Sequence, residues 1–135
     1  MENETILTQF IQKVWNEKDF ECIPNFVSSE YTIHSDSSDP WEFRTLNYEE
    51  FAMRLDYSFD SFPDINFEIQ STISDGDNVA ITWLMTGTNS GQGAFPPTHN
   101  AIRTNGITIY HFQDGKICGH TQVFNRAIIK RQLGF

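Results

Sequence analysis

The fold turns on NGITIYHFQDGKICGHTQVF, residues 105–124. Two runs in which apolar and polar side chains alternate are separated by Asp114-Gly115, the strongest short-range signal for an antiparallel hairpin closed by a two-residue type I′ turn. Counting outward from that turn pairs Phe112 with Ile117, Tyr110 with Gly119, Thr108 with Thr121 and Thr104 with Asn125. Successive side chains on a strand point to opposite faces, so these pairs share one face of the sheet. Ile107, Ile109, His111, Cys118, His120, Gln122 and Phe124 fall on the other. A slip of one residue would exchange the two sets. The first set grows more polar away from the turn, as expected of a largely apolar pocket holding a few directional polar groups. The second set is half apolar and suits a dimer face.

Upstream, the same alternation predicts three more strands. INFEIQSTIS and NVAITWLMTGT flank the turn signal DGD, and EYTIHS forms a short early strand. Ahead of them, TILTQFIQKVWNEKDF places Ile6, Leu7, Phe10, Ile11, Val14 and Trp15 at helical spacing, with Asn3 as N-cap. ECIPNFV reads as a broken helical turn stopped at Pro24. In NYEEFAMRLDYSFDSFP, Phe51, Leu55 and Phe59 make one stripe of a helix ended by Pro63. SGQGAFPPTHN is a Gly- and Pro-rich loop, and RAIIKRQLGF closes the chain as a short helix or tail. Helices followed by long antiparallel strands predict an α+β fold: one domain over residues 1–135, with a strongly curved sheet wrapped as a cone around the N-terminal helices. The mouth of such a cone is a natural ligand pocket.

Composition narrows the function. Aromatic residues make up 14% of the 135 residues, with twelve Phe, so core material is plentiful. The net charge of -9 and the lack of any basic run argue against nucleic acid as a partner. No apolar run approaches the roughly 20 residues of a membrane span, and the acidic start does not resemble a signal peptide. Cys22 and Cys118 are two lone thiols, in keeping with a reducing cytoplasm. Seventeen of the eighteen carboxylates lie in residues 1–77, so any carboxylate chemistry must draw on the first half of the chain.

FPD, MTGT, PPT, the GITIYHFQDGKI run and the terminal QLG occur in an order and spacing that resemble the SnoaL-like polyketide cyclase (ester cyclase) family, within the nuclear-transport-factor-like superfamily that includes ketosteroid isomerase and scytalone dehydratase. The resemblance covers roughly residues 62–134 and implies the α+β cone, usually dimeric. In cyclase members it implies an intramolecular aldol closure without metal or organic cofactor, driven by a carboxylate near the end of the last strand in a pattern similar to E-x-W-x-x-x-D. Here Gly119, Thr121 and Asn125 stand at those three positions, and Asn89 stands where a His would follow GT. An Asn amide does not exchange protons as an acid or base near neutral pH.

The candidate chemistry is therefore His34, on the early strand, with Asp36 two positions on as its partner in a His-Asp base. Tyr110 is a donor to a developing oxyanion, and Asn125 polarises the substrate. Thr104, Thr108, Thr121 and Asn89 are expected to line the pocket, and Trp41, in a polar loop, to lid it. No metal site is expected, because His111, Cys118 and His120 lack a fourth ligand and a motif. Two readings stay open. One is a cofactor-free cyclase, isomerase or dehydratase acting on a small, mostly apolar carbonyl compound. The other is a non-catalytic module that binds such a ligand or dimerises.

Overall fold

The computed structural model describes residues 2–135. Helix α1 spans Asn3–Phe10 and continues as a wider π-helical turn, Ile11–Asn16. Glu2, not Asn3, holds the N-cap position. A single 3₁₀ turn leads into α2, Ile23–Phe26. Pro24 does not stop a helix there. It sits in the first turn of α2, where its missing N–H costs no hydrogen bond. Helix α3, Tyr48–Ser61, begins at Asn47 with a reciprocal capping box to Glu50. Its expected stripe of Phe51, Leu55 and Phe59 is buried.

Six strands form one sheet in the order β2-β1-β6-β5-β4-β3. They are β1 Val27–Asp36, β2 Thr45–Leu46, β3 Asn66–Asp75, β4 Asn78–Thr88, β5 Ala101–Gln113 and β6 Lys116–Phe124. All neighbours are antiparallel except β1 and β6, which run parallel and bring the first strand against the last. The sheet curls around α1 and α3. Phe10 of α1 meets Phe51 of α3 and Tyr110 of β5 at ring-centroid distances of 6.2 and 6.1 Å. Helix α4, Arg126–Leu133, closes the chain and buries Ile129 and Leu133.

The hairpin that anchors the fold forms as expected at its turn and differs beyond it. Asp114 and Gly115 both have positive φ, 51° and 77°, as a type I′ turn requires. Gln113 pairs with Lys116 and Phe112 with Ile117. The register then shifts, so that His111 faces Gly119, Tyr110 faces His120, Thr108 faces Gln122 and Gly106 faces Phe124. Cys118 is the extra residue of a β-bulge, and a bulge reverses the facing of every residue beyond it. On β5 the inward set is the expected one: Ile102, Thr104, Gly106, Thr108, Tyr110 and Phe112 are all buried. On β6 the expected sets are exchanged. His120, Gln122 and Phe124 turn inward, and Thr121 and Val123 turn outward.

The β1–β6 pairing is irregular too, with register shifts between Val27 and Thr32, opposite Cys118, and between Ile33 and Ser35. In β1, Ile33 pairs with His120 but Ser35 pairs with Thr121, leaving His34 between them. Ile33 and Asp36 are buried, while His34 and Ser35 are exposed. Strict alternation from Ile33 would have buried Ser35; the bulge buries Asp36. Gly119 allows the two strands to come together there, since a Cβ on it would lie 2.4 Å from the Thr32 carbonyl oxygen.

Candidate active site

A cavity of about 70 Å³ lies between the concave face of the sheet and helices α1 and α3. Its wall is mostly apolar, with Phe10, Phe51, Phe67, Trp83, Met85 and Phe124 among the lining residues. Polar groups are concentrated where β1, β6, α3 and the start of α4 meet: Tyr31, Arg54, Tyr110, His120, Gln122 and Arg126.

Their centre is Asp36, brought inward by the β1 bulge. Its Oδ2 accepts from His120 Nε2 at 2.9 Å, Gln122 Nε2 at 3.0 Å and Arg54 Nη2 at 3.0 Å. Its Oδ1 accepts from Arg126 Nη2 at 2.7 Å. Arg54 also holds Asp39, through Nε at 3.1 Å and Nη2 at 2.9 Å. Two carboxylates thus balance two guanidinium groups. Burial alone would raise the Asp36 carboxyl, but the His120 hydrogen bond and the charges of Arg54, His120 and Arg126 outweigh it and hold Asp36 below the usual carboxylate range.

His120 continues the chain toward the cavity. Its Nδ1 lies 2.5 Å from the Tyr31 hydroxyl. Burial pushes the imidazole below its ordinary value; the Asp36 hydrogen bond opposes this and the Arg54 charge reinforces it. A neutral imidazole beside an ionised carboxylate carries its proton on Nε2 and accepts at Nδ1. The sequence of donors is therefore Tyr31 O–H to His120 Nδ1, and His120 Nε2–H to Asp36. Burial raises the Tyr31 phenol well above its usual value and raises Tyr110 as well, so both stay protonated as hydrogen-bond donors.

The expected site residues divide. Asp36 and Tyr110 reach the inner face, and Tyr110 lines the cavity. His34 does not join them. It is exposed on the outer face, its ring edge-on to His111 at 5.1 Å, so the expected His34–Asp36 pair does not form. Asn125 is no pocket residue either. It caps α4, accepting from the Ala127 N–H at 3.0 Å, because the strand ends one residue earlier. Thr121 points outward and meets His111 Nε2 at 3.0 Å. Thr104 and Thr108 are buried behind the cavity wall. Asn89 is buried too, but it ties down the 90–100 loop through the Pro96 carbonyl at 2.7 Å and Thr98 Oγ1 at 3.1 Å. Trp41 packs against Tyr57 at 5.4 Å beside the cavity, while Asp39 of the same loop lines it. His111 and His120 lie on opposite faces, which separates the histidines of the weighed metal set.

Tyr31, Arg54 and Arg126 carried no sequence signal, because their partners are distant in the chain. His120 and Gln122 did carry one. A glycine inside a strand, here Gly119, often marks a bulge or a close backbone approach, and a bulge at this point places both residues inside.

The structure is of the α+β cone class, with a small, mostly apolar cavity inside the cone and a buried histidine–carboxylate pair of which His120 lines it. The sequence profile of the SnoaL-like polyketide cyclase family matches residues 5–133, and the chain belongs to that family. A proposed polyketide cyclase from Acidithiobacillus ferrooxidans is 36% identical in sequence, with a TM-score of 0.90 over 97% of this chain and 93% of that one. IdmH from Streptomyces antibioticus, a proposed polyketide cyclase, shares the fold at 20% identity, with a TM-score of 0.83 over the full length of both chains. AclR from Streptomyces galilaeus, a proposed hydroxylase, shares it at 22% identity, with a TM-score of 0.80 over 98% of this chain and 80% of that one. No curated protein sequence matches the chain. No helix among the described residues is long and apolar enough to cross a membrane.

Proposed function

We propose that the protein is a cofactor-free acid/base catalyst of the cyclase or isomerase type, acting on a small, mostly apolar carbonyl compound, with His120 rather than His34 as the titrating group. The observation that carries this reading is the chain Tyr31–His120–Asp36, with two of its members in the wall of an apolar cavity. Tyr31 Oη is the atom that meets the substrate. An enol O–H gives its proton to Tyr31 as its carbon attacks a carbonyl in the same molecule, and the Tyr31 proton moves to His120 Nδ1. The imidazolium, stabilised by Asp36, then returns a proton through Tyr31 to the new alkoxide. Atoms and electrons balance within one substrate molecule, so neither oxidant nor reductant is needed. Arg54 and Arg126 keep Asp36 ionised through both steps.

One observation favours the second reading, a binding module. Both ring nitrogens of His120 and both oxygens of Asp36 are already occupied by protein partners. A saturated network of this kind also fits a lock that holds the cone shut around a ligand. In either case we propose a pair of chains joined through the outer sheet face, where Ile73, Ile107 and Val123 are exposed.

The test uses a short linear diketone able to close on itself, with ring closure followed by chromatography and mass spectrometry. The enzyme reading expects faster closure with the wild type, a loss of about a hundredfold or more in Tyr31→Phe and His120→Gln, and no change in His34→Ala. Full activity in Tyr31→Phe would sink the relay. Saturable binding without conversion would establish the module.

A further inference from the structure

A second run of hydrogen bonds crosses the concave face and ends on the same carboxylate. Trp83 Nε1 on β4 donates to Thr108 Oγ1 on β5 at 2.8 Å. Thr108 Oγ1 donates to Gln122 Oε1 on β6 at 2.7 Å. Gln122 Nε2 donates to Asp36 Oδ2 on β1 at 3.0 Å. Four residues on four adjacent strands are linked in a line.

The line has one direction. An indole N–H only donates, and an ionised carboxylate only accepts. Between them, the Thr108 hydroxyl accepts from Trp83 and spends its single proton on Gln122. The Gln122 amide must then present its oxygen to Thr108 and its nitrogen to Asp36. The reverse orientation would set an amide oxygen against a carboxylate. Thr108 is 0% exposed and Trp83 3%, so water does not compete at either residue. The indole reaches this position because Gly106 lies beneath it: a Cβ on Gly106 would come within 2.2 Å of the ring. Among the four donors to Asp36, Gln122 is the neutral amide, and its position is set from the far side of the sheet.

We propose that Trp83, Thr108 and Gln122 are a positioning chain that orients Asp36 Oδ2 and thereby sets how strongly it holds His120. The inference rests on His120 as the titrating group, but its test needs no turnover, so the two can fail separately. His120 is faced by Tyr31 and Asp36 of β1, Tyr110 of β5, Arg54 of α3, Asp39 of the loop that follows β1 and, beyond Asp36, Arg126 of α4. None of these charges changes when Thr108, Trp83 or Gln122 is replaced by a neutral residue. Without the Gln122 donor, Asp36 Oδ2 is less satisfied and attracts the His120 imidazolium more strongly.

Histidine ring-nitrogen NMR across a pH titration reads that attraction. In the wild type, His120 is a single Nε2–H form with a depressed midpoint. In Gln122→Met the midpoint rises by roughly one pH unit, the scale of one hydrogen bond to a charged group. Thr108→Val and Trp83→Phe move it in the same direction by less, and Thr108→Ser, which keeps the hydroxyl, restores the wild-type titration. Thermal unfolding of each variant reports packing separately. If Gln122→Met and Thr108→Val keep the wild-type midpoint while melting lower, the chain is packing alone and the proposal is overturned. It is equally overturned if Thr108→Ser titrates like Thr108→Val.

Discussion

Replacing Arg54 by Met tests the electrostatic heart of the structure. The substitution keeps much of the aliphatic stem and removes the guanidinium from three hydrogen bonds, one to Asp36 at 3.0 Å and two to Asp39 at 2.9 and 3.1 Å. The partners are 1% and 7% exposed and the arginine 12%, so solvent replaces little of what is lost. Deleting one member of a buried ion pair costs about 3–5 kcal/mol, mainly because a buried charge is left without compensation. Arg126 stays 2.7 Å from Asp36 but 3.7 Å from Asp39, so Asp36 keeps a partner and the loss belongs at the lower end, about 3 kcal/mol. With a urea m-value of about 2 kcal/mol/M, the midpoint of unfolding at pH 7.5 falls by roughly 1.5 M. The pH dependence supplies a second check. Asp36 and His120 both titrate lower in the folded protein than when unfolded. The wild type's contribution from His120 is therefore whole above the unfolded value of about 6.5 and is lost as pH falls through the folded one; that of Asp36 is whole above about 3.9 and is lost below it. Without Arg54 both folded values rise, so the gap between variant and wild type narrows on acidification. A midpoint shift under about 0.5 M at pH 7.5, or a gap that widens toward acid, would refute the reasoning.

Two further substitutions follow from placement rather than charge. Asn125→Ala removes the α4 cap and should cost about 1 kcal/mol in urea unfolding, whereas Asn125→Asp, which keeps the acceptor, should be nearly neutral. A pocket role for Asn125 would instead make both variants alter ligand binding. Val123→Glu sets a charge in the exposed apolar face and should turn the proposed pair into single chains in sedimentation velocity. A wild type that sediments as a single chain at micromolar concentration removes that face from consideration.

The family, the α+β class, the helix stripes and the hairpin turn were legible in the sequence because each is a local pattern. Asp114-Gly115 needs only its own backbone preference, and Phe51, Leu55 and Phe59 need only the helical repeat. The carboxylate at the centre of the buried network, Asp36, lies in the acidic first half of the chain. The expected facings gave way at two points in the strands. Alternation carries a facing along a strand only until one residue is added, and the bulges at His34 and Cys118 each add one. On β1 the bulge brought Asp36 in while His34, next to inward Ile33, stayed out, and on β6 the bulge exchanged Thr121 with His120 and Gln122.

What the sequence determined by itself is the two long helices, the strands other than the two-residue β2, the turn that aligns β5 with the start of β6, and the face of β5 that lies inside. Those follow from backbone preferences and side-chain periods that act over a few residues. The pairing of β1 with β6, the bulges in both strands and the meeting of Asp36 with His120 across 84 positions were decided only by the tertiary structure. Their cause is a contact that no local window contains. Gly119 lets the Thr32 carbonyl approach, and a buried carboxylate is stable there only where Arg54, Arg126, Gln122 and His120 converge on it from three other elements.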